Sequence, residues 1–187
     1  MTTPSGPYEA VALVEIASIA RGYVALDAIA KRARVSVKLA RPVTPGKLVI
    51  LFGGDVASAA ESLEAAREVA GSLLVDELFL PFAHAALLPA LDGAVAPEPG
   101  DAVGVVEIAT VASTLRAADV ALKACDVAVA RVHLALGIGG KGYFVIAGPL
   151  ADVEAALEAV RGEISVDKVV GIELIAQPHG EVRGFLS

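Results

Sequence analysis

The tetrapeptide Val-Glu-Ile-Ala occurs at residues 14–17 and again at 106–109. It opens a longer match. At an offset of 92 residues, Glu15 to Ala20 (EIASIA) lies on Glu107 to Ala112 (EIATVA). At the same offset Asp27 lies on Asp119, Lys31 on Lys123, and Val35 and Val37 on Val127 and Val129. The offset then becomes 94: Lys47 lies on Lys141, Gly54 on Gly148, Leu63-Glu64-Ala65 on Leu157-Glu158-Ala159, and Arg67 on Arg161. A collinear series of this kind marks a duplication. The second copy has gained two residues opposite positions 43 to 47 of the first. A chain of 187 residues is then two domains of about 90 residues each. The stretch DGAVAPEPGD (92–101) has the proline and glycine content of a linker. It sets the copies at 9–91 and 102–187.

Each copy predicts the same elements. AVALVEIA (10–17) is a short apolar run, as a strand buried on both faces would be. IARGYVALDAIAKRA (19–33) has apolar residues at helical spacing. VSVKLARPV (35–43) and KLVILFGG (47–54) read as strands around a Thr-Pro-Gly turn. DVASAAESLEAAREVAG (55–71) starts on an Asp N-cap and ends at a glycine. LVDELFLP (74–81) closes as a strand. The second copy repeats this at 102–110, 112–125, 127–136, 142–148, 150–162 and 168–176. Strand-helix-strand-strand-helix-strand is a ferredoxin-like, split β-α-β unit. The predicted class is α+β: two such domains in tandem, each an antiparallel sheet with helices on one face.

Composition narrows the function. The chain is 56% hydrophobic, with a mean hydropathy of +0.68, yet only 4% aromatic. A membrane-spanning helix needs roughly 20 apolar residues in a row. Glu107, Arg116, Asp119, Lys123, Asp126 and Arg131 interrupt the most apolar region. MTTPSGPYEA has no basic segment leading into an apolar run, so no signal peptide is expected. The expectation is a soluble, cytoplasmic protein with no membrane partner, whose surplus apolar surface other subunits cover. A net charge of −7 argues against nucleic acid. Cys125 is the single cysteine, which rules out an intrachain disulfide and a multi-cysteine metal site.

No motif assembles catalytic chemistry. GIGGKG (137–142) spells G-x-G-x-x-G, but a strand-like YFVIAG follows where a dinucleotide site needs a helix. A glycine turn between strands is the reading. His84, His133 and His179 lie in no metal-ligand spacing and read as surface or edge residues. Cys125 reads as a small buried side chain. Glu15 and Glu107 fall at one place in each copy, which suggests a structural role common to both. An enzyme is not expected, and no metal and no cofactor. The largest difference between the copies is one turn: TPGK in the first, LGIGGK in the second.

Taken in order, these residues resemble the tandem-domain shell proteins of bacterial microcompartments. The resemblance rests on VEIA, on the Asp-to-Lys end of the first helix in both copies, and on the glycine turn before the third strand. It also rests on Gly54-Asp55-Val56 and on Pro178-His179. It covers about residues 10 to 182. It implies a structural protein: a homotrimer whose six domains imitate a hexamer, set in a shell with hexameric and pentameric shell proteins around encapsulated enzymes. It implies a central pore for small metabolites, lined by Thr44, Pro45 and Gly46 and by Gly137, Ile138, Gly139 and Gly140, with Lys47 and Lys141 beside it. Lys31 and Lys123 match the family's lysine at the edge between oligomers, where Gln177 and His179 also belong. Gln177 stands where the family often has Arg.

Glycine lets backbones crowd at an axis where side chains would clash, and Pro45 fixes φ in the shorter turn. Unequal turns imply three-fold rather than six-fold symmetry, and the longer one is expected to move and change the aperture. Some tandem relatives hold an iron–sulfur cluster through a pore-loop cysteine. Neither turn here has one, so no cluster is expected. The residues alone leave open an alternative, a small-molecule-binding regulatory or sensor protein of duplicated α+β domains.

Overall fold

A computed structural model describes residues 8–93 and 101–186. Most of the expected linker, 94–100, lies outside the described residues. The chain forms two compact units. The first takes in residues up to Ala83 together with Ala135–Gly140; the second comprises His84–Leu134 and Lys141 onward. The second copy's long turn thus groups with the first copy.

The first unit runs β1 (Ala10–Ile16), α1 (Ile19–Arg32), β2 (Ser36–Val43), β3 (Lys47–Gly54), α2 (Val56–Ala70) and β4 (Leu74–Pro81). Its sheet has the order β2-β3-β1-β4, with every pairing antiparallel. The second unit opens with a short α3 (Leu87–Leu91). There follow β5 (Ala102–Ile108), α4 (Val111–Ala124), β6 (Ala128–Leu134), β7 (Gly142–Gly148), α5 (Leu150–Glu163), β8 (Val169–Ala176) and α6 (Gly180–Arg183). Its sheet order, β6-β7-β5-β8, is the same. The expected α+β units are present. The strand and helix ends move by one or two residues, and α3 and α6 are additional. Four and five residues are too few to carry a 3.6-residue period.

Local chemistry explains the helix starts. Ser18 accepts a hydrogen bond from the Arg21 amide, and Thr110, at the same place in copy two, accepts from Ser113. Asp55 accepts from the Ser58 amide at 2.8 Å and the Ser58 hydroxyl at 2.7 Å. These bonds hold its carboxyl below the usual carboxylate range. Copy two has Pro149 in that place, which caps α5 with no side chain.

β1 pairs on both edges and every residue in it is buried. Alternate residues therefore build two layers. Ala12, Val14 and Ile16 face the helices with Leu48, Ile50 and Phe52, against Ala25, Ile29, Leu63 and Ala66. In the second unit Val103, Val145 and Ala147 form a cluster of their own, joined by Tyr143 and Leu186. Cys125 caps α4 and is half-buried rather than buried, because its backbone has already left the helix for an extended conformation.

The sheets also reveal a second insertion. Ala10 faces Pro81, and Ala102 faces Ala176, an offset of 95 residues on the closing strand. Phe82 and Gln177 follow. Both have positive φ, 56° and 48°, and both amides donate at 2.7 Å, to Glu9 and Asp101. His84 and His179 then coincide. In each the Nδ1 accepts an amide two residues on, at 3.2 Å from Ala86 and 3.3 Å from Glu181. Both histidines, expected at the surface or an edge, thus cap turns, with His179 exposed and His84 half-buried.

One packing detail binds the copies as a pair of solutions. A Cβ on Gly22 would lie 2.6 Å from the Leu48 side chain. In copy two the two positions are Thr114 and Gly142, and a Cβ on Gly142 would lie 2.4 Å from Thr114 Oγ1. The bulk has changed sides. Gly22→Thr should therefore overpack the first unit and cost about 1–3 kcal/mol. In urea melts, Gly22→Thr combined with Leu48→Gly should destabilise less than the two changes summed, by about 0.5–3 kcal/mol. Strict additivity would show that the exchange has no packing basis.

Candidate functional site

The two turns before the third strands are built differently. Thr44-Pro45-Gly46 is a tight reversal closed by the Gly46 amide on the Val43 carbonyl at 2.8 Å. Gly46 sits at φ 116°, a conformation open to glycine. The longer turn takes positive φ at Ala135, Gly137, Gly139 and Gly140. A Cβ on Gly137 or Gly139 would meet open space. One on Gly140 would lie 2.4 Å from the Thr44 carbonyl oxygen. The structure thus brings Gly140 against Thr44, Pro45 and Lys47, while Gly137 and Gly139 stay clear of neighbours.

The anchor of this arrangement is Lys47. Its Nζ lies 2.5 Å from Glu15 Oε2 and 3.3 Å from the Gly140 carbonyl oxygen. Glu15 is fully buried and Lys47 is 11% exposed. Glu15 lies on β1 facing Val49, and Lys47 opens β3 two residues before Val49, so the pair is diagonal across the two strands. A carboxylate inside a sheet is tolerated only when a cation and hydrogen bonds meet it. The cation that meets it also fastens the end of the longer turn. In copy two Glu107 pairs with Lys141, but there the side chains are 37% and 39% exposed.

The pairing is what reading the sequence missed. The signal was present: an acid and a base recur in both copies inside otherwise apolar strands, at Glu15 and Lys47, Glu107 and Lys141.

The expected edge residues lie elsewhere. Lys31 is exposed and pairs with Asp27 at 2.6 Å, one helical turn away. Lys123 pairs likewise with Asp119 at 2.6 Å. Asp119 is buried, and its other oxygen accepts the His84 amide at 2.7 Å. Gln177 closes β8, and His179 caps α6. His133, the third histidine, stacks on Tyr143 with ring centroids 5.4 Å apart. No group of three or more His, Cys, Asp or Glu side chains placed to hold a metal ion occurs among the described residues. No described helix is long and apolar enough to cross a membrane. The geometry at the turns offers backbone carbonyls, amides and one fixed ammonium.

The two ion pairs should separate cleanly in denaturant melts. Lys47→Met takes the cation away from the buried Glu15 and should cost about 3–5 kcal/mol. Lys141→Met, at the half-exposed pair, should cost about 1 kcal/mol or less. Equal losses would mean that burial does not set the weight of these pairs.

The BMC domain family matches twice, over residues 10–83 and 102–178. The bacterial microcompartment shell protein PduT of Citrobacter freundii is 40% identical over 173 residues, covering 91% of this chain and 94% of its own length. The crystal structure of a microcompartment protein from Desulfitobacterium hafniense superposes with a TM-score of 0.81. It is 34% identical and covers 95% of this chain and 99% of that one. A fused permuted hexameric shell protein of the RMM microcompartment, MSM0275, shares the fold with a TM-score of 0.62. It is 22% identical and covers 82% of each chain. None of these supports the regulatory alternative. The chain belongs to the BMC-domain family of bacterial microcompartment shell proteins, with two such domains in tandem.

Proposed function

We propose that this shell protein works as a homotrimeric, pseudohexameric tile with a central pore for small metabolites. In this reading residues 9–91 and 102–187 are the two shell domains. Thr44, Pro45 and Gly46 alternate with Gly137, Ile138, Gly139 and Gly140 around the axis. Lys47 and Lys141 stand behind them. Lys31, Lys123, Gln177 and His179 face neighbouring tiles. The partners are hexameric and pentameric shell proteins and encapsulated enzymes.

One observation supports this most. The two unlike turns are packed on each other within one chain, Gly140 against Thr44, and fastened by Lys47. Around an axis, such a pair makes a repeating unit of two. Gly137 and Gly139, with open space about their Cα atoms, let further copies approach closely. A chain of the same fold is itself described as a fused, permuted hexameric shell protein. The role is structural: the turns hold no convergent acid, base and nucleophile of the kind catalysis needs. The Gly140 contact also refines the expected motion, which is confined to 136–139 by the fixed end.

The test is absolute mass by light scattering after size exclusion. The expected particle weighs three times the 18.9 kDa chain, or twice that if two trimers stack. A monomer or dimer at every concentration would contradict the tile.

A further inference from the structure

The duplication exposes a site where one copy has lost a partner that the other keeps. In the first copy Arg67 on α2 meets Glu77 on β4 through both carboxylate oxygens. Nε lies 2.7 Å from Oε2, and Nη2 lies 2.5 Å from Oε1. Glu64 takes Nη1 at 2.7 Å. These carboxylates hold the guanidinium pKa well above its ordinary value.

In the second copy Arg161 replaces Arg67 and Glu158 replaces Glu64. The β8 position does not follow. Val14 faces Glu77, whereas its counterpart Val106 faces Ile172. Arg161 Nη2 donates to the Ile172 carbonyl at 3.2 Å. Glu158, well exposed, keeps a looser ion pair with Nη1 at 3.7 Å and leaves the Nε–Nη2 edge to the Ile172 carbonyl. The fork that two oxygens fill in copy one has no carboxylate on it here among the described residues.

Beside this guanidinium lies a cavity of about 340 Å³, lined by Arg161, Ile164, Val166, Val169 and Ile172. Its other walls are aliphatic. Val166 is 87% exposed, so the cavity is an open groove on that side. The volume suits a small molecule. An arginine fork matches a carboxylate in two parallel, charge-assisted bonds.

We propose that this cavity binds a small aliphatic carboxylate. Its head takes the place on Arg161 that Glu77 takes on Arg67, and its alkyl chain lies on Ile164, Val166, Val169 and Ile172. The site stands on the second unit alone and does not depend on the tile reading.

The experiment is calorimetric titration of the full chain with sodium hexanoate, with hexan-1-ol as the uncharged comparator. The expected result is saturable binding at one site per chain, with the alcohol weaker by about tenfold or more. Arg161→Gln should weaken hexanoate by about tenfold or more. Ile172→Glu restores the first copy's carboxylate, and should occupy the guanidinium and weaken hexanoate to a similar degree. A thermal melt of each variant checks folding; if Arg161→Gln does not fold, Arg161→Lys and Ile172→Glu carry the test. Absence of saturable binding would overturn the proposal. So would equal affinity in wild type and the folded variants, or a loss confined to the Arg161 variants.

Discussion

A carboxylate inside a β-sheet has to be met by a cation, and in this chain the cation is also the fastening of a loop. Glu15 is fully buried on β1, the strand that pairs on both edges. Leaving it charged without its cation would cost about 3–5 kcal/mol, a large share of the roughly 5–15 kcal/mol that holds a domain folded. Lys47 must therefore stay where it is. Being there, it reaches the Gly140 carbonyl and fixes one end of the longer turn. The position of both turns follows from this requirement. Thr44-Pro45-Gly46 precedes Lys47 directly, and Gly140 cannot carry a side chain without striking Thr44.

Doubling a domain frees one copy to depart while the other keeps the fold's requirements. The chain shows this several times. The Glu–Lys pair is buried in the first copy and half-exposed in the second. The Gly22–Leu48 contact reappears with its bulk reversed as Thr114–Gly142. Arg67 keeps its bidentate carboxylate, and Arg161 faces an aliphatic wall instead. Features that did not change, such as His84 and His179 capping their turns, mark what the fold itself needs. Within a family that builds shells, the departures are where function is to be sought.

Much of this was legible before any coordinates. The repeat predicted two equal units, and periodicity placed the strands and long helices, because β1, β3, β5 and β7 are apolar runs bounded by turn residues. Asp55 was read as a cap and is one. The α+β class and the shell family followed from the order of motifs, and the comparisons agree. What escaped lies in side-chain pairing across the sheet. Glu15 and Lys47 are 32 residues apart, and only the β1–β3 register brings them together. The shift before β8 escaped because the sequences there share no anchor residue. Glu77 and Ile172 were therefore not seen as counterparts until their facing valines aligned them.

In the proposed tile two unlike turns, packed together in each chain, repeat around one axis. The most direct test is a structure of the assembled oligomer by electron cryo-microscopy. The expected assembly has three copies with residues 44–46 and 137–140 alternating about a three-fold axis, and Lys47 on Gly140 in each. Turns lying away from the symmetry axis, or an assembly whose axis passes through other elements, would contradict it.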